Sequence, residues 1–138
     1  MSQMRASLLL VIIAFFLIFA PNYEKINMSQ DLFKQISTTI RKERLYAKID
    51  LMREDVMKRF GIGRHRLNAL LTVNTDGMSF PQYINAIRLE EAYKLLTDHP
   101  EMTIAEIARL VGFTAPNLRE QFKRRYGITP VKFRAGRT

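Results

Sequence analysis

The hydrophobic pattern changes character once along the chain. Ala6 to Ala20 is an unbroken apolar run, ASLLLVIIAFFLIFA, in which Ser7 is the only polar side chain. Beyond it, apolar residues recur at helical spacing and no stretch sustains the alternation of a strand. Leu32, Phe33, Ile36 and Ile40 form one stripe of a helix that Ser29 is placed to cap and that runs to about Ala47. That stripe is too short for a coiled coil and is expected to pack on the domain behind it. Further helices are expected over Leu51–Phe60, Arg64–Val73, Ser79–Leu96, Thr103–Val111 and Ala115–Tyr126, with a last short turn from Pro130. Ser79 with Gln82, and Thr103 with Glu106, have the spacing at which an N-cap hydroxyl and a side chain three residues on exchange hydrogen bonds with the backbone. Asp50 is the best candidate to cap the Leu51 helix. Gly61, Gly77, Gly112 and Gly127 fall where helices should stop. The predicted fold class is all-α.

The helices repeat. Val56, Gly61, Ile62, Leu67 and Leu71 recur 51 positions later as Ile107, Gly112, Phe113, Leu118 and Phe122. Gly77, Met78, Ser79 and Tyr83 recur 50 positions later as Gly127, Ile128, Thr129 and Phe133. Each copy reads helix, glycine, apolar plug, second helix. The glycine permits the left-handed backbone of a sharp turn, and the second helix buries a narrow stripe while its opposite face stays free. One such pattern is a common helical hairpin; two at a fixed offset predict paired helix-turn-helix units. Ile84, Ile87, Leu89, Ala92, Leu95 and Leu96 give the intervening helix an apolar surface broad enough to pack on both. The expected architecture is therefore two helix-turn-helix units joined by a long linker helix, about seven helices, plus an N-terminal hydrophobic helix. Rigid spacing would let both second helices enter successive major-groove segments, about 34 Å apart.

Helical geometry then sorts the side chains. With Leu67, Leu70 and Leu71 buried, His65, Asn68, Ala69 and Thr72 point away, flanked by Arg64 and Arg66. With Leu118 and Phe122 buried, Pro116, Arg119, Glu120 and Lys123 point out, flanked by Asn117 and Arg124. Asn pairs bidentately with adenine, Arg with guanine, Glu accepts from cytosine, and Ala69 or the Thr72 methyl suits a thymine methyl. Arg64, Arg66, Lys123, Arg124 and Arg125 suit phosphates, as does the helix N-terminus at Thr103. Plainer roles stand beside these: His65 and Asn68 as solvated surface residues, Glu120 paired with Arg124 one helical turn on, and His99 as a loop residue.

Charge points the same way. The 138 residues carry 22 Lys and Arg against 13 Asp and Glu, a net charge of +9. From Arg109 onward Arg109, Arg119, Lys123, Arg124, Arg125, Lys132, Arg134 and Arg137 face Glu120 as the only acid. A polyanion is the natural partner; a solubilising surface and anionic lipid are the competing explanations. The absence of cysteine excludes disulfides, thiolate metal sites and thiol nucleophiles. Two isolated histidines give no metal-ligand spacing, and no nucleophile–base pair or phosphate-cradling loop appears. Neither an enzyme nor a metal nor a cofactor is expected.

The run Ala6–Ala20 spans about 22 Å as a helix, short of the roughly 30 Å hydrocarbon core. Extension over Met4–Tyr23 makes a span possible, with Arg5 snorkelling and Tyr23 at the interface. A signal peptide cut after Ala20 is the alternative; Ile18 at the −3 position and Pro21 after the cut disfavour it. Arg5 alone precedes the run, whereas Lys25, Lys34, Arg41, Lys42 and Arg44 follow it. Positive-inside bias puts the remainder in the cytoplasm, beside a bacterial inner membrane. The expected domains are an anchor over 1–23, a connector helix over 24–44 and a double helix-turn-helix domain over 45–138.

Leu45 to Arg134 resembles the C-terminal DNA-binding domain of the AraC/XylS family of bacterial transcription regulators. The similarity is most specific over TIAEIARLVGFTAPNLREQFKRRYGITPVKFR, Thr103–Arg134, and over SFPQYINAIRLEEAYKLL, Ser79–Leu96, which looks like the family's linker helix. The resemblance implies seven helices, two recognition helices and sequence-specific promoter binding, usually for activation, with RNA polymerase as a further partner. Eight residues separate Gly112-Phe113 from Phe122, one fewer than the family commonly has, with Pro116 inside the first turn. Ala69 stands where a longer polar residue is frequent, and Gly63 where a capping Ser is. Some relatives join a transmembrane helix to this domain, as Ala6–Ala20 and its connector would. The alternative is a degenerate helix-turn-helix that docks a protein or a membrane surface.

Overall fold

The computed structural model describes residues 2–136; Met1, Thr138 and Arg137, one of the C-terminal basic residues, lie outside the described residues. Among the described residues the chain is all helical: α1 (Ser2–Lys42), a 3₁₀ turn (Leu45–Ala47), α2 (Arg53–Phe60), α3 (Arg64–Asn74), α4 (Phe80–Asp98), α5 (Ile104–Val111), α6 (Ala115–Tyr126) and α7 (Pro130–Ala135). Each predicted helix after residue 50 is present, most with ends shifted by one or two residues.

Several expected boundaries are not where the sequence suggested. The first is the helix expected to run to about Ala47, which ends at Lys42 because left-handed Arg44 turns the chain into a 3₁₀ turn. α1 runs unbroken through Pro21, so Ser29 is a helix-interior residue rather than a cap. Pro21 has no N–H to offer the Leu17 carbonyl, but the Asn22 side chain donates to the neighbouring Ile18 carbonyl at 3.4 Å. Asp50 does not cap α2 either. Met52 is the N-cap, and the Asp55 carboxylate accepts from its backbone N–H at 2.9 Å. The acid three residues inside the helix does the work expected of one before it. Gly61, Gly112 and Gly127 end their helices as expected, but α3 is C-capped by Thr75, two residues before Gly77. The two paired N-caps are as expected. Ser79 Oγ accepts from the Gln82 N–H while Gln82 accepts from the Ser79 N–H, and Thr103 and Glu106 do the same. The bond from the Thr103 N–H holds the Glu106 carboxyl below its usual range.

The helices close on two hydrophobic cores strung along α4. The first gathers Val56, Ile62, Leu67, Leu70 and Leu71 from α2–turn–α3 with Phe80, Tyr83, Ile84 and Ile87 of α4. The second gathers Ile107, Ala108, Val111, Phe113, Leu118 and Phe122 with Leu89, Ala92 and Leu96. The apolar surface of α4 thus divides between Ile87 and Leu89, one half to each unit. The first core also takes Ile36 and Ile40 from α1, with Leu32 and Phe33 partly buried against it. The connector stripe is therefore packed on the domain behind it, and ion pairs from Arg41 to Glu90 (2.9 Å) and Glu91 (3.9 Å) of α4 reinforce the contact.

Among the described residues, nothing in either core packs on the N-terminal half of α1. From Met4 to Phe19 its large apolar side chains are exposed, and Phe15 stacks only on Phe19. Its most apolar stretch has a mean hydropathy of 2.3 with no part buried, long and apolar enough to cross a membrane by length and composition. The whole helix reaches about 60 Å at 1.5 Å per residue.

Candidate nucleic-acid interface

The two units are built by the same local bonds. In the first, Gly61 is left-handed (φ 61°), its N–H donates to the Met57 carbonyl, and the N–H of Ile62 donates to that same oxygen at 3.1 Å. In the second, Gly112 is left-handed (φ 88°), its N–H donates to the Ala108 carbonyl, and Phe113 follows at 2.9 Å. This glycine-ended helix closure turns Ile62 and Phe113 inward, where both are buried. The chain then restarts at Gly63 and Thr114, the N-caps of α3 and α6, and buries Leu67 and Leu118 four residues on. The eight residues between Ile62 and Leu71, and between Phe113 and Phe122, thus give α3 and α6 one register. Pro116 fits because it occupies the first turn of α6, where no intrahelical N–H is required.

The caps differ. Thr114 Oγ1 accepts from the Asn117 N–H at 3.3 Å, whereas Gly63 has no side chain to offer. Nothing lies within 4 Å of a Cβ built at Gly63, and its φ of −82° suits any residue. Replacing Gly63 with Ser is expected to raise stability by about 1 kcal/mol, through the cap and the lost flexibility of the unfolded chain. Thermal unfolding checks this; an unchanged or lower midpoint would contradict the cap reading.

All twelve residues picked from the sequence are solvent-exposed. Arg64, His65, Arg66, Asn68, Ala69 and Thr72 lie on α3, opposite Leu67, Leu70 and Leu71. Pro116, Asn117, Arg119, Glu120, Lys123 and Arg124 lie on α6, opposite Leu118 and Phe122, and Arg125 joins the basic last turn. Some already have partners. The Thr72 hydroxyl donates to the Asn68 carbonyl at 2.9 Å, which leaves its oxygen only as an acceptor, beside an exposed methyl. Arg64 lies 3.7 Å from Glu54 of α2. Glu120 accepts from Arg124 at 3.0 Å, the pairing weighed against a base contact. Both side chains of that pair are about two-thirds exposed (64% and 70%), so it costs little to open. His99 ends α4 with Nδ1 3.0 Å from Glu101, a loop residue as expected.

Arg88 is a residue that charge and the repeat did not single out. It is the one buried charged side chain among the described residues, 8% exposed. Its Nε donates to the Tyr46 carbonyl at 2.8 Å and an Nη to the Lys48 carbonyl at 2.7 Å, and its guanidinium lies 5.5 Å from the Phe113 ring centre. Burial pulls its pKa below the ordinary arginine value, yet it stays charged at neutral pH. The signal was in the spacing: Ile84, Arg88 and Ala92 share one face of α4, and that face is buried. Arg134 plays a similar part at the other end, donating to the Met102 and His99 carbonyls at 2.5 and 3.4 Å.

Known proteins share this arrangement. A family model described as a helix-turn-helix domain matches residues 56–136. The Msm operon regulatory protein of Streptococcus mutans serotype c is 32% identical over 81 residues, 58% of this chain but 28% of that protein, so this chain spans less than a third of that relative's length. The DNA-binding domain of AdpA, a global transcriptional factor solved in complex with a target DNA, superimposes with a TM-score of 0.66 at 21% identity, covering 75% of this chain and 90% of that one. The C-terminal domain of AraT, a response regulator from Geobacillus stearothermophilus, gives 0.65 at 26% identity, covering 75% and 84%. That of the response regulator yesN from Fusobacterium nucleatum gives 0.60 at 24%, covering 80% and 98%. With a family match over more than half its length and these folds beside it, the chain belongs to the AraC-type helix-turn-helix DNA-binding domain family.

Proposed function

We propose that the protein is a membrane-tethered transcription regulator that reads duplex DNA by sequence, with α3 and α6 as its two recognition helices. The carrying observation is that both units present exposed polar and basic faces in the same register, on one continuous α4. The family to which the chain belongs comprises DNA-binding domains of regulators, not enzymes. Asn68, Ala69 and Thr72 on α3, with Arg119 and Glu120 on α6, have the chemistry for base edges, and His65, Pro116 and Asn117 border them. Arg64, Arg66, Lys123, Arg124 and Arg125 have the chemistry for phosphates.

The anchor is residues 1–23. An exposed apolar surface of this extent is what a lipid-facing segment presents. The basic residues after it favour a cytoplasmic DNA-binding domain at the inner membrane. Promoter activation through RNA polymerase completes the proposal.

Selection from random duplexes with the full chain would supply an operator. Arg119→Ala is then expected to cost about 5- to 100-fold on the operator and little on unrelated DNA, as loss of a base contact does. Lys123→Ala should weaken both DNAs alike and reduce the salt slope by about one. Equal losses on operator and unrelated DNA for Arg119→Ala would remove it from sequence reading. For the tether, the full chain should stay with membranes after alkaline extraction, and a chain lacking residues 1–23 should not. A full chain released by that extraction would refute the anchor.

A further inference from the structure

Both units pack on α4, but one shared helix restrains their relative rotation only through the side chains on its two faces. A second connection crosses between them. Residues 44–48 leave α1 at Arg44, a non-glycine residue held in the left-handed region (φ 54°). Tyr46 of this segment is buried in the first core. The same segment lies against the turn of the second unit: a Cβ on Gly112 would fall 2.5 Å from the Tyr46 carbonyl oxygen and 3.1 Å from the Ala47 carbonyl carbon. Arg44 also donates to the Leu110 carbonyl of α5 at 3.3 Å.

Arg88 stands where the three parts meet. It projects from the middle of α4, holds the Tyr46 and Lys48 carbonyls of the segment, and faces Phe113 of the second unit. An apolar residue would fill the volume but leave the buried Tyr46 carbonyl without a donor and Lys48 with only the Leu51 N–H at 3.2 Å, and only a long forked donor reaches both carbonyls at once. The segment precedes residues 56–136, so it lies outside the region matched to the family model.

From this geometry we infer that residues 44–48 are a strap that sets the orientation of the two units, and that Arg88 is the positioning residue that pins it. Arg88 thereby fixes the half-site separation that α3 and α6 can engage together. The half-site consequence rests on the DNA reading proposed above; the orientation itself does not. Two units held in register bind a paired site far more tightly than either alone, and that advantage disappears when geometry forbids simultaneous contact.

The test uses the full chain in detergent micelles. It contains no cysteine, so spin labels on Val73→Cys and Val131→Cys report on one unit each; both positions are exposed, and because Val73 lies one turn after Ala69 the distance is read without DNA. The parent should give one narrow inter-label distance, and Arg88→Gln a broadened or shifted one. On DNA, Arg88→Gln should lower the ratio of paired-site to single-half-site affinity by about tenfold or more, a split that general destabilisation would not produce. If Arg88→Gln does not fold, Arg44→Gly keeps the left-handed backbone and removes only the bond to Leu110, and should broaden the distance in the same sense. A folded variant whose inter-label distance matches the parent overturns the strap. A parent that binds no DNA overturns the function reading instead, while the distance measurement still decides the strap.

Discussion

Gly112→Ala is expected to destabilise the protein by about 3–5 kcal/mol, whereas the equivalent change in the first unit, Gly61→Ala, costs only about 1 kcal/mol. Both glycines end a helix in the left-handed region, so both substitutions meet the same backbone penalty. Their surroundings differ. A Cβ at Gly61 has nothing within 4 Å, while one at Gly112 would press on the Tyr46 carbonyl oxygen, Arg88 Nε and the Ala47 carbonyl carbon, at 2.5, 3.0 and 3.1 Å. Two of those neighbours are backbone and the third is the side chain that holds them, so relief requires residues 44–48 to move as a body. A small domain has about 5–15 kcal/mol of stability in total. Gly112→Ala should therefore show a much lower thermal midpoint, measurable by circular dichroism. Similar midpoints for the two variants would mean that the strap does not press on the second turn.

Removing residues 1–44 is expected to unfold the first unit, and removing 1–23 is not. Ile36 and Ile40 are almost wholly buried in the first core, with Leu32 and Phe33 beside them. Truncating one buried isoleucine to alanine costs about 2–5 kcal/mol. Loss of the whole stripe removes on the order of the domain's entire stability. The longer chain keeps every one of these contacts, and no described residue it loses belongs to either core. Urea unfolding of the two chains, with the full chain as reference, separates them. A cooperative transition of normal midpoint from the chain starting at residue 45 would show that α1 contributes nothing to that core. Ile40→Ala in the full chain tests the same packing without truncation and should lower stability by about 2–5 kcal/mol.

Much of this fold was legible in the sequence, because it is written in short-range terms. The 51-residue offset found the two turns through Gly61-Ile62 and Gly112-Phe113, and those turns share one bonding pattern. Helical periodicity sorted α3 and α6 into buried and exposed faces, and each residue assigned to the outer face is exposed. Boundaries read less well. Ser29 resembled a cap, yet helix propagation from both sides carries α1 through it, and Asp50 was outdone by Asp55 reaching back to Met52. What stayed hidden was long-range. Arg88 meets carbonyls about forty residues away, and the contact between Gly112 and residues 46–47 joins parts of the chain that no local pattern connects. A charged residue on an otherwise apolar face of α4 was the available hint, and it marks the place where backbone carbonyls needed a donor.

The central claim is that both units engage one duplex together through exposed basic helices. It is tested most directly by titrating the full chain, in micelles, onto a selected paired-site duplex over a range of salt concentrations. About 5–9 phosphate contacts from two units predict that log K falls with log salt at a slope of roughly −5 to −8, with a single half-site giving about half of that. Binding that ignores salt, or a paired site no steeper and no tighter than a half-site, would contradict it.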